Sequence, residues 1–295
     1  MMELERKIAW NQRQAQKYGW TPDWFGADGF NELLIERIVK WQKMNGLEPD
    51  GLCGNSTFRK IWTERESIID SSTNQRFIIH NNNKFPIKWD SVVLWNDDGG
   101  MKSTHYRNMA GKPPRKPRLF VNHHDVCLSS KSCHSVLQKR NLSVHFLIDG
   151  DPSATIYQCL DTQHTAYHCG KWNSVSVGVE INTPWSLKYQ DWHLRKGRGK
   201  RPVWENVECH GKTLDPHLGF YPRQIKALAA LWEAVSRSCD IPLETLTNKG
   251  INKKAISGDW KGFIGHLHVS ANKIDPAGLD FEQVKKQAIE LSKLQ

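Results

Sequence analysis

The stretch Leu119–Asp125, with the sequence LFVNHHD, is the one around which the rest of the chain is organised. Successive side chains of a β-strand point to opposite faces, so His123 shares a face with Leu119 and Val121, whereas His124 lies on the other face. A histidine at the end of a strand is held on a rigid element and can serve as a metal ligand. The alternative interpretation is a strand end whose two histidines are solvated or hydrogen-bonded.

A second histidine-rich stretch near the C-terminus favours the metal interpretation. The segment Gly265–His268, with the sequence GHLH, is followed by Asp275 and Pro276. Two histidines and one aspartate, with the fourth position left to water, form the ligand set of a catalytic zinc site. We therefore predict that one histidine of each stretch binds zinc together with Asp275.

The composition is that of an ordinary globular protein of a size sufficient for two domains. The chain has 295 residues, of which 38% are hydrophobic and 24% are charged. No apolar run reaches the roughly 18 residues of a membrane-spanning helix, so none is expected. The N-terminal residues 1–7 lack the apolar core of a secretory signal, which predicts synthesis in the cytoplasm and an exit by another route.

The net charge of +10 is distributed unevenly along the chain. Residues 1–70 contain 10 Lys and Arg against 11 Asp and Glu, which leaves 31 against 20 for residues 71–295. A basic second part suits a polyanionic partner such as nucleic acid, an acidic membrane surface or a cell-wall polymer. The charges alone do not distinguish these partners.

The cysteines predict neither a disulfide framework nor a zinc ribbon. There are seven of them, an odd number, in a chain without an apparent signal, and no pair has Cys-x-x-Cys spacing.

The first part of the chain reads as a small helical domain. Apolar residues from Phe30 to Met44 recur at spacings of three and four, Asn45-Gly46 follows as a helix end, and residues 47–54 form a Gly/Pro-rich turn before another helix. We assign residues 1–68 to this domain, 69–76 to a polar linker and 77–295 to a second domain.

This first domain resembles the peptidoglycan-binding domain that precedes many wall hydrolases. The residues that carry the resemblance are Val39–Gln42 (VKWQ) and Gly46–Thr57 (GLEPDGLCGNST), which match a helix with a central Gln, a Gly-Leu, an Asp-Gly turn, a Gly and a Thr that opens the next helix. The alternative is a generic three-helix bundle with a glycine-rich turn.

In the second domain, period-two patterns and turn residues predict several strands and two long helices. The strands are expected at 77–80, 87–94, 119–124, 142–149, 154–160 and 176–182, and the helices at 220–239 and 281–294. Two basic loops, at 102–118 and 188–201, are interpreted as solvated surface, with attraction to an anionic polymer as the alternative.

Residues 118–280 resemble the zinc-dependent N-acetylmuramoyl-L-alanine amidases, the family that includes the animal peptidoglycan-recognition proteins. The resemblance rests on six segments in a fixed order, with a helix before the last: Phe120–His124, Leu142–Asp149, Tyr157–Asp161, Ala166–Gly170, Ser176–Glu180 and Gly265–Pro276. It implies an α/β (α+β) fold with a mixed central sheet flanked by helices, preceded here by the small all-helical domain, and zinc at one end of the sheet.

The resemblance also implies roles for individual residues. The ligands are His123, His266 and Asp275, with His124 and His268 as rival assignments. The catalytic pair is Glu180, which would take the proton of the attacking water, and Lys273, which would steady the developing oxyanion. The alternatives are a strand-end Glu paired with a Lys and an exposed loop lysine. The candidate substrate-binding residues are His168, His145, Trp172 and Asn173, although His168 could equally be structural.

Two departures from the family pattern are visible. Val144 stands where some phage members have a Tyr, which places more weight on Glu180 as the group that transfers protons. Cys127 and Cys133 repeat a spacing that forms a disulfide in the animal recognition proteins, but a chain made in the cytoplasm favours free thiols.

The resemblance predicts a bacteriolytic amidase, endolysin-like, that cleaves the amide between N-acetylmuramic acid and L-alanine with zinc as cofactor and peptidoglycan as partner. Such an enzyme would act on the cell wall after release. A non-catalytic recognition protein on the same fold is the first alternative, although its members usually lose a metal ligand. A nucleic-acid binder is the second, but no DNA-binding motif accompanies the basic loops, and we expect neither specific nucleic-acid binding nor membrane insertion.

Overall fold

The computed structural model describes residues 2–73 and 75–293 and divides into two compact units, residues 1–74 and 75–295. Among its described residues the first unit contains three α-helices, α1 (Met2–Tyr18), α2 (Glu32–Met44) and α3 (Asn55–Thr73), and a short 3₁₀ helix at Pro22–Phe25. Its core is formed by small, aliphatic and aromatic side chains from all parts of the unit, namely Ala15, Trp20, Phe25, Ala27, Leu34, Ile38, Cys53 and Ile61. Within the residues described, no helix of either unit combines the length and apolar character needed to cross a bilayer.

The Asp-Gly turn of the first unit is fixed by two buried amide side chains. Gln42 Nε2 donates to Asp50 Oδ1 at 2.8 Å, and its Oε1 accepts from Gly51 N at 3.0 Å. Asn11 Nδ2 donates to Gly51 O at 2.9 Å. Gly51 has a φ of +76°, and a Cβ there would lie 2.8 Å from Ile35, so the turn requires glycine.

Part of the segment expected as a linker is helical. Helix α3 continues through residues 69–73, because no proline or glycine interrupts the chain between Asn55 and Thr73. Residue 74 lies outside the described residues, and the first strand of the second unit begins at Arg76.

The second unit contains fourteen strands and five further helices in the part of the chain that the structure describes. The strands are β1 (Arg76–His80), β2 (Asn83–Ile87), β3 (Val92–Leu94), β4 (Tyr106–Arg107), β5 (Leu119–His124), β6 (Phe146–Ile148), β7 (Ile156–Gln158), β8 (Thr165–Ala166), β9 (Ser176–Ile181), β10 (Val203–Trp204), β11 (Glu208–Cys209), β12 (Lys212–Thr213), β13 (His217–Leu218) and β14 (Gly262–Gly265). The helices are α4 (Ser130–Lys139), α5 (Gln190–Arg195), α6 (Pro222–Cys239), α7 (Lys253–Ser257) and α8 (Phe281–Ser292).

Six of these strands form a mixed sheet in the order β14-β5-β9-β6-β7-β3. The strands β14, β5, β9 and β6 run parallel, β7 is antiparallel to β6, and β3 is parallel to β7. The other strands form small two-stranded sheets. The mixed sheet flanked by helices that the resemblance implied is therefore confirmed.

The two faces of β5 are buried against different layers, as its alternating pattern predicts. Phe120 joins the large core that includes α6 and α8. Leu119 and Val121 pack on the other side with Trp172 and Ile264. The backbone of β5 is thus enclosed on both faces, and only its C-terminal end reaches a cavity.

The prediction of a single strand at 87–94 is wrong, because the structure divides these residues between two strands that belong to different sheets. Asn81 and Asn82 both have positive φ, which closes a two-residue turn and starts the return strand β2 at Asn83. The chain leaves this hairpin after Ile87, and β3 then pairs with β7 in the central sheet. Side-chain alternation alone could not locate this change of partner.

Candidate metal centre

Three parallel strands end at the same edge of the sheet and deliver the central residues of the site. His123 is next to last in β5, and Glu180 lies directly opposite it in β9. Gly265 ends β14 opposite Asn122, so His266 follows at the level of His123. The carboxyl ends of in-register parallel strands necessarily share an edge, which is why residues far apart in sequence meet there.

The side chains of His123, His266 and Asp275 converge. The Nδ1 atoms of His123 and His266 lie 2.8 and 3.1 Å from the same oxygen, Asp275 Oδ2. The two imidazole rings are 4.6 Å apart between centroids and nearly perpendicular. One ligand atom from each of the three residues falls within 4.8 Å of the others, as in a group that could hold a metal ion.

The donor set fits a zinc ion. With zinc–nitrogen and zinc–oxygen distances of about 2.0–2.2 Å, tetrahedral ligand atoms lie roughly 3.3 Å from one another, close to the spacings found here. Burial lowers the pKa of His123. Burial alone would raise the pKa of Asp275, but the facing imidazoles of His123 and His266 hold it well below its ordinary value. Neutral histidines and an ionised aspartate are the protonation states that metal binding requires.

The rival ligands have other partners. The ring of His124 packs against Trp185 with 4.8 Å between centroids, on the face of β5 opposite to His123. His268 is buried, its Nδ1 accepts from Gly265 N at 2.9 Å, and its Nε2 lies 2.8 Å from Asn248 O. Burial lowers the pKa of both rings to about 4, so both are neutral near pH 7. Both nitrogens of His268 are occupied by the backbone, which leaves none for a metal.

Glu180 carries a free carboxylate oxygen beside the cluster formed by His123, His266 and Asp275. Its Oε2 is buried and has no hydrogen-bond partner among the residues that the structure describes. Burial, together with the charges of Asp275 and Asp125, holds the pKa of Glu180 well above its ordinary value. The residue lines a cavity of about 290 Å³ together with the three converging residues, His168 and Lys273.

A second, more open cavity of about 450 Å³ adjoins the first. His168, His266 and Lys273 line both cavities, so the cluster lies between them. Trp172 and Asn173 line the second cavity, as does Lys171. Lys273 is exposed, so its ammonium group can reach into either space.

His145 does not belong to these cavities. Its side chain is fully buried, Nδ1 accepts from Gly178 N at 3.1 Å, and Nε2 lies 3.0 Å from His164 O. Since both ring nitrogens already have partners, this geometry does not support the substrate contact expected at this position.

The sequence did not indicate a structural role for Arg115. The loop at 102–118 was expected to be solvated, but the guanidinium of Arg115 points into the protein. Its guanidinium donates to the carbonyl oxygens of Thr162, Asn173 and Ser176 at 2.9–3.1 Å. Burial lowers its pKa to about 10. Arg115 thus fastens the segments that carry Asn173 and the start of β9, and no local pattern in a Pro-rich basic stretch signals such a role.

Cys127 and Cys133 also line the smaller cavity and are free thiols. A hydrogen bond with Cys133 lowers the pKa of Cys127 to about 7. Asp125 lies with them, and its carboxylate accepts from Cys127 N and Thr183 N at 3.0 Å each. These contacts hold the turn after β5 in place.

The chain is also similar to known proteins. The profile of a family described as N-acetylmuramoyl-L-alanine amidase matches residues 113–278, more than half of the chain. No curated protein sequence matches the chain.

Several solved structures resemble part of the chain. The endolysin N-acetylmuramoyl-L-alanine amidase LysCS from Clostridium intestinale URNW is 16% identical, with 68% of this chain and 95% of that chain covered and a TM-score of 0.40. The amidase AmiD from E. coli, solved with a muramyl peptide, is 19% identical, with 65% and 66% covered and a TM-score of 0.41. Drosophila peptidoglycan recognition protein SA is 15% identical, with 66% and 91% covered and a TM-score of 0.37.

Proposed function

The chain belongs to the N-acetylmuramoyl-L-alanine amidase family, and from that premise we propose that His123, His266 and Asp275 hold a zinc ion at which it hydrolyses the amide between N-acetylmuramic acid and L-alanine. The observation that carries the proposal is the convergence of these three side chains beside the unpartnered carboxylate oxygen of Glu180. When bound, zinc supplies a Lewis acid for the amide carbonyl and lowers the pKa of water to about 7.

Glu180 is the proton-transfer group of this proposal. Its buried oxygen faces the cavity with no competing partner among the described residues, and its raised pKa makes it a stronger base than an ordinary carboxylate. The carboxylate takes the proton of the attacking water and delivers it to the leaving amine of L-alanine.

Lys273 stabilises the negative charge that develops on the amide oxygen. It lies at the junction of the two cavities and carries an ammonium group on a flexible stem. His168, Trp172 and Asn173 line the larger cavity and contribute to the binding of the substrate around the scissile amide.

The first unit binds the wall polymer in this proposal. A groove of about 580 Å³ lies beside its Asp-Gly turn and is lined by aromatic and polar side chains, among them Trp10, Tyr18, Glu48 and Asn55. Together with the basic second part of the chain, this groove suits a bacteriolytic, endolysin-like enzyme that acts on peptidoglycan after release.

The test is mass spectrometry of purified peptidoglycan digested by the zinc-loaded protein. We expect stem peptides with a free L-alanine amino group and intact glycan strands. Glu180→Gln, which keeps the shape of the side chain, should lower kcat by roughly 10²- to 10⁴-fold while the protein still binds one zinc.

Glu208→Gln is the matched control, because Glu208 is exposed and its ion pair with Lys249 lies outside both cavities. Cleavage within the glycan or the peptide cross-links would contradict the proposed reaction. Undiminished kcat in Glu180→Gln would contradict the role of Glu180.

A further inference from the structure

A chain of hydrogen bonds leads from His123 away from the metal cluster into the protein. His123 Nε2 lies 3.0 Å from His168 Nδ1, and His168 Nε2 lies 3.2 Å from Ser176 Oγ. Ser176 Oγ in turn donates to the backbone oxygen of Trp172 at 2.8 Å. Each member of this relay, defined as His123, His168, Ser176 and the carbonyl of Trp172, therefore contacts the next.

The far end of the relay fixes the direction of every hydrogen bond in it. A carbonyl oxygen can only accept, so the single hydroxyl proton of Ser176 points to Trp172 and its oxygen accepts from His168. His168 thus carries its proton on Nε2. A neutral imidazole carries a single proton, so with that proton on Nε2 the Nδ1 of His168 is an acceptor.

The near end of the relay follows from the same reasoning. Because His168 Nδ1 accepts, His123 carries its proton on Nε2 and its Nδ1 has a free lone pair. This nitrogen lies 2.8 Å from Asp275 Oδ2, so the unprotonated Nδ1 and the carboxylate oxygen can bind one metal ion together. The relay therefore leaves Nδ1 of His123 available to coordinate a metal ion.

The residue of β9 that lies against the His168 ring is a glycine, Gly178, and its lack of a side chain leaves room for the imidazole. Gly178 in β9 lies against His168, and a Cβ at this position would come within 2.5 Å of Cε1 and 2.6 Å of Nδ1. Gly178 has no positive φ to explain the glycine, so the close approach of the imidazole is the physical reason for it.

We propose that His168 and Ser176 are positioning residues that place the proton of His123 on Nε2 and so present a bare Nδ1 to the metal ion. The inference rests on the proposed zinc site. Outer partners of this kind orient a ligand histidine and fix its tautomer, and their loss typically weakens metal binding about 10- to 100-fold.

The first experiment measures zinc affinity of the full chain by competition with a chromophoric chelator. His168→Leu, which fills the space without an acceptor, should weaken zinc binding about 10- to 100-fold, and Ser176→Ala about 10-fold. His168→Asn should restore most of the affinity, because its Oδ1 can stand where Nδ1 accepts. Gly178→Ala should weaken binding without altering any polar group of the relay.

Two controls match these variants. Ser130→Ala also removes a buried serine hydroxyl, one that has no partner within residues 2–73 and 75–293, and should leave zinc affinity unchanged. Gly29→Ala adds a Cβ with no heavy atom nearer than 3.9 Å. Wild-type affinity in His168→Leu and Ser176→Ala would overturn the inference, whereas a wild-type protein that binds no zinc would overturn the proposed function instead.

The second experiment needs no variant and remains decisive if some of them fail to fold. NMR of the zinc-loaded wild-type protein with ¹⁵N-labelled histidine reports which ring nitrogen carries each proton. We expect both His168 and His123 as the Nε2–H tautomer. A proton on Nδ1 of His168 would reverse the relay and overturn the inference.

Discussion

At the scale of single residues, the site is built from histidines whose environments differ although their side chains are identical. His123 converges with His266 and Asp275 on the proposed metal site, whereas both ring nitrogens of His268, two residues beyond His266, contact the backbone. Burial in both cases favours the neutral ring. A histidine can serve as a metal ligand only if one ring nitrogen has a lone pair that no hydrogen bond uses, so the partners of the ring nitrogens distinguish a proposed ligand from a structural histidine.

This difference predicts a loss of stability in acid that originates at His268. Its pKa is about 4 when folded, against 6.5 for an ordinary histidine, so its contribution is fully present above pH 6.5 and is lost as the pH falls towards 4. The slope for one proton is about 1.4 kcal/mol per pH unit.

Urea denaturation at pH 7, 6 and 5, with a chelator present to exclude metal–proton competition, measures this slope. His268→Gln, which cannot titrate at this position, should show a smaller slope than the wild type, by a difference that approaches one proton towards pH 5. Equal slopes in the two proteins would show that His268 does not titrate as described.

At the scale of elements, helix α6 holds the strands that position the proposed ligands. Trp232 of α6 donates from Nε1 to Asn122 Oδ1 at 3.1 Å, and Asn122 Nδ2 donates to Ile264 O at 2.8 Å. One asparagine, adjacent to His123 but on the opposite face of β5, therefore ties α6, β5 and β14 together. The ring of Trp232 also stacks on Phe263 of β14.

This arrangement predicts the effect of Trp232→Phe. The substitution keeps an aromatic ring but leaves the buried oxygen of Asn122 without its donor, which should cost about 1–3 kcal/mol in the unfolding of the second unit. Zinc stoichiometry should stay at one, because no ligand is touched.

Chemical denaturation followed by near-UV circular dichroism checks this value. Trp62→Phe, at an exposed tryptophan of α3, is the control and should change stability by less than about 0.5 kcal/mol. A Trp232→Phe protein as stable as the wild type would mean that the contact with Asn122 contributes little.

At the scale of the whole molecule, each of the two units has its own hydrophobic core. The group of His123, His266 and Asp275 and both adjoining cavities belong to residues 75–295, whereas the groove beside the Asp-Gly turn belongs to residues 1–74. The proposed chemistry and the proposed wall binding are therefore assigned to different compact units.

This division predicts that residues 75–295 alone cleave a soluble muramyl peptide within a few-fold of the rate of the full chain. On intact wall at limiting enzyme concentration, the shortened protein should be at least about 10-fold slower, because the tethered first unit raises the local concentration of the enzyme. Release of soluble peptides from both substrates measures the two rates. Equal rates on intact wall would remove the binding role of the first unit.

The sequence by itself determined features that depend on neighbouring residues. The alternation in Leu119–His124 placed His123 and His124 on opposite faces, and the apolar spacing in 220–239 predicted α6, because a strand repeats every two residues and a helix every 3.6. The Asp-Gly turn between α2 and α3 was likewise visible as a local pattern.

Only the tertiary structure decided which distant residues meet. The meeting of His123 with Asp275, the relay through His168 and Ser176, and the burial of Arg115 join atoms that the chain separates by long stretches. The same holds for the division of 87–94 between two sheets. The physical reason is that a hydrogen bond across strands is set by register and packing, whereas the pattern of neighbouring residues records only which face of an element is buried.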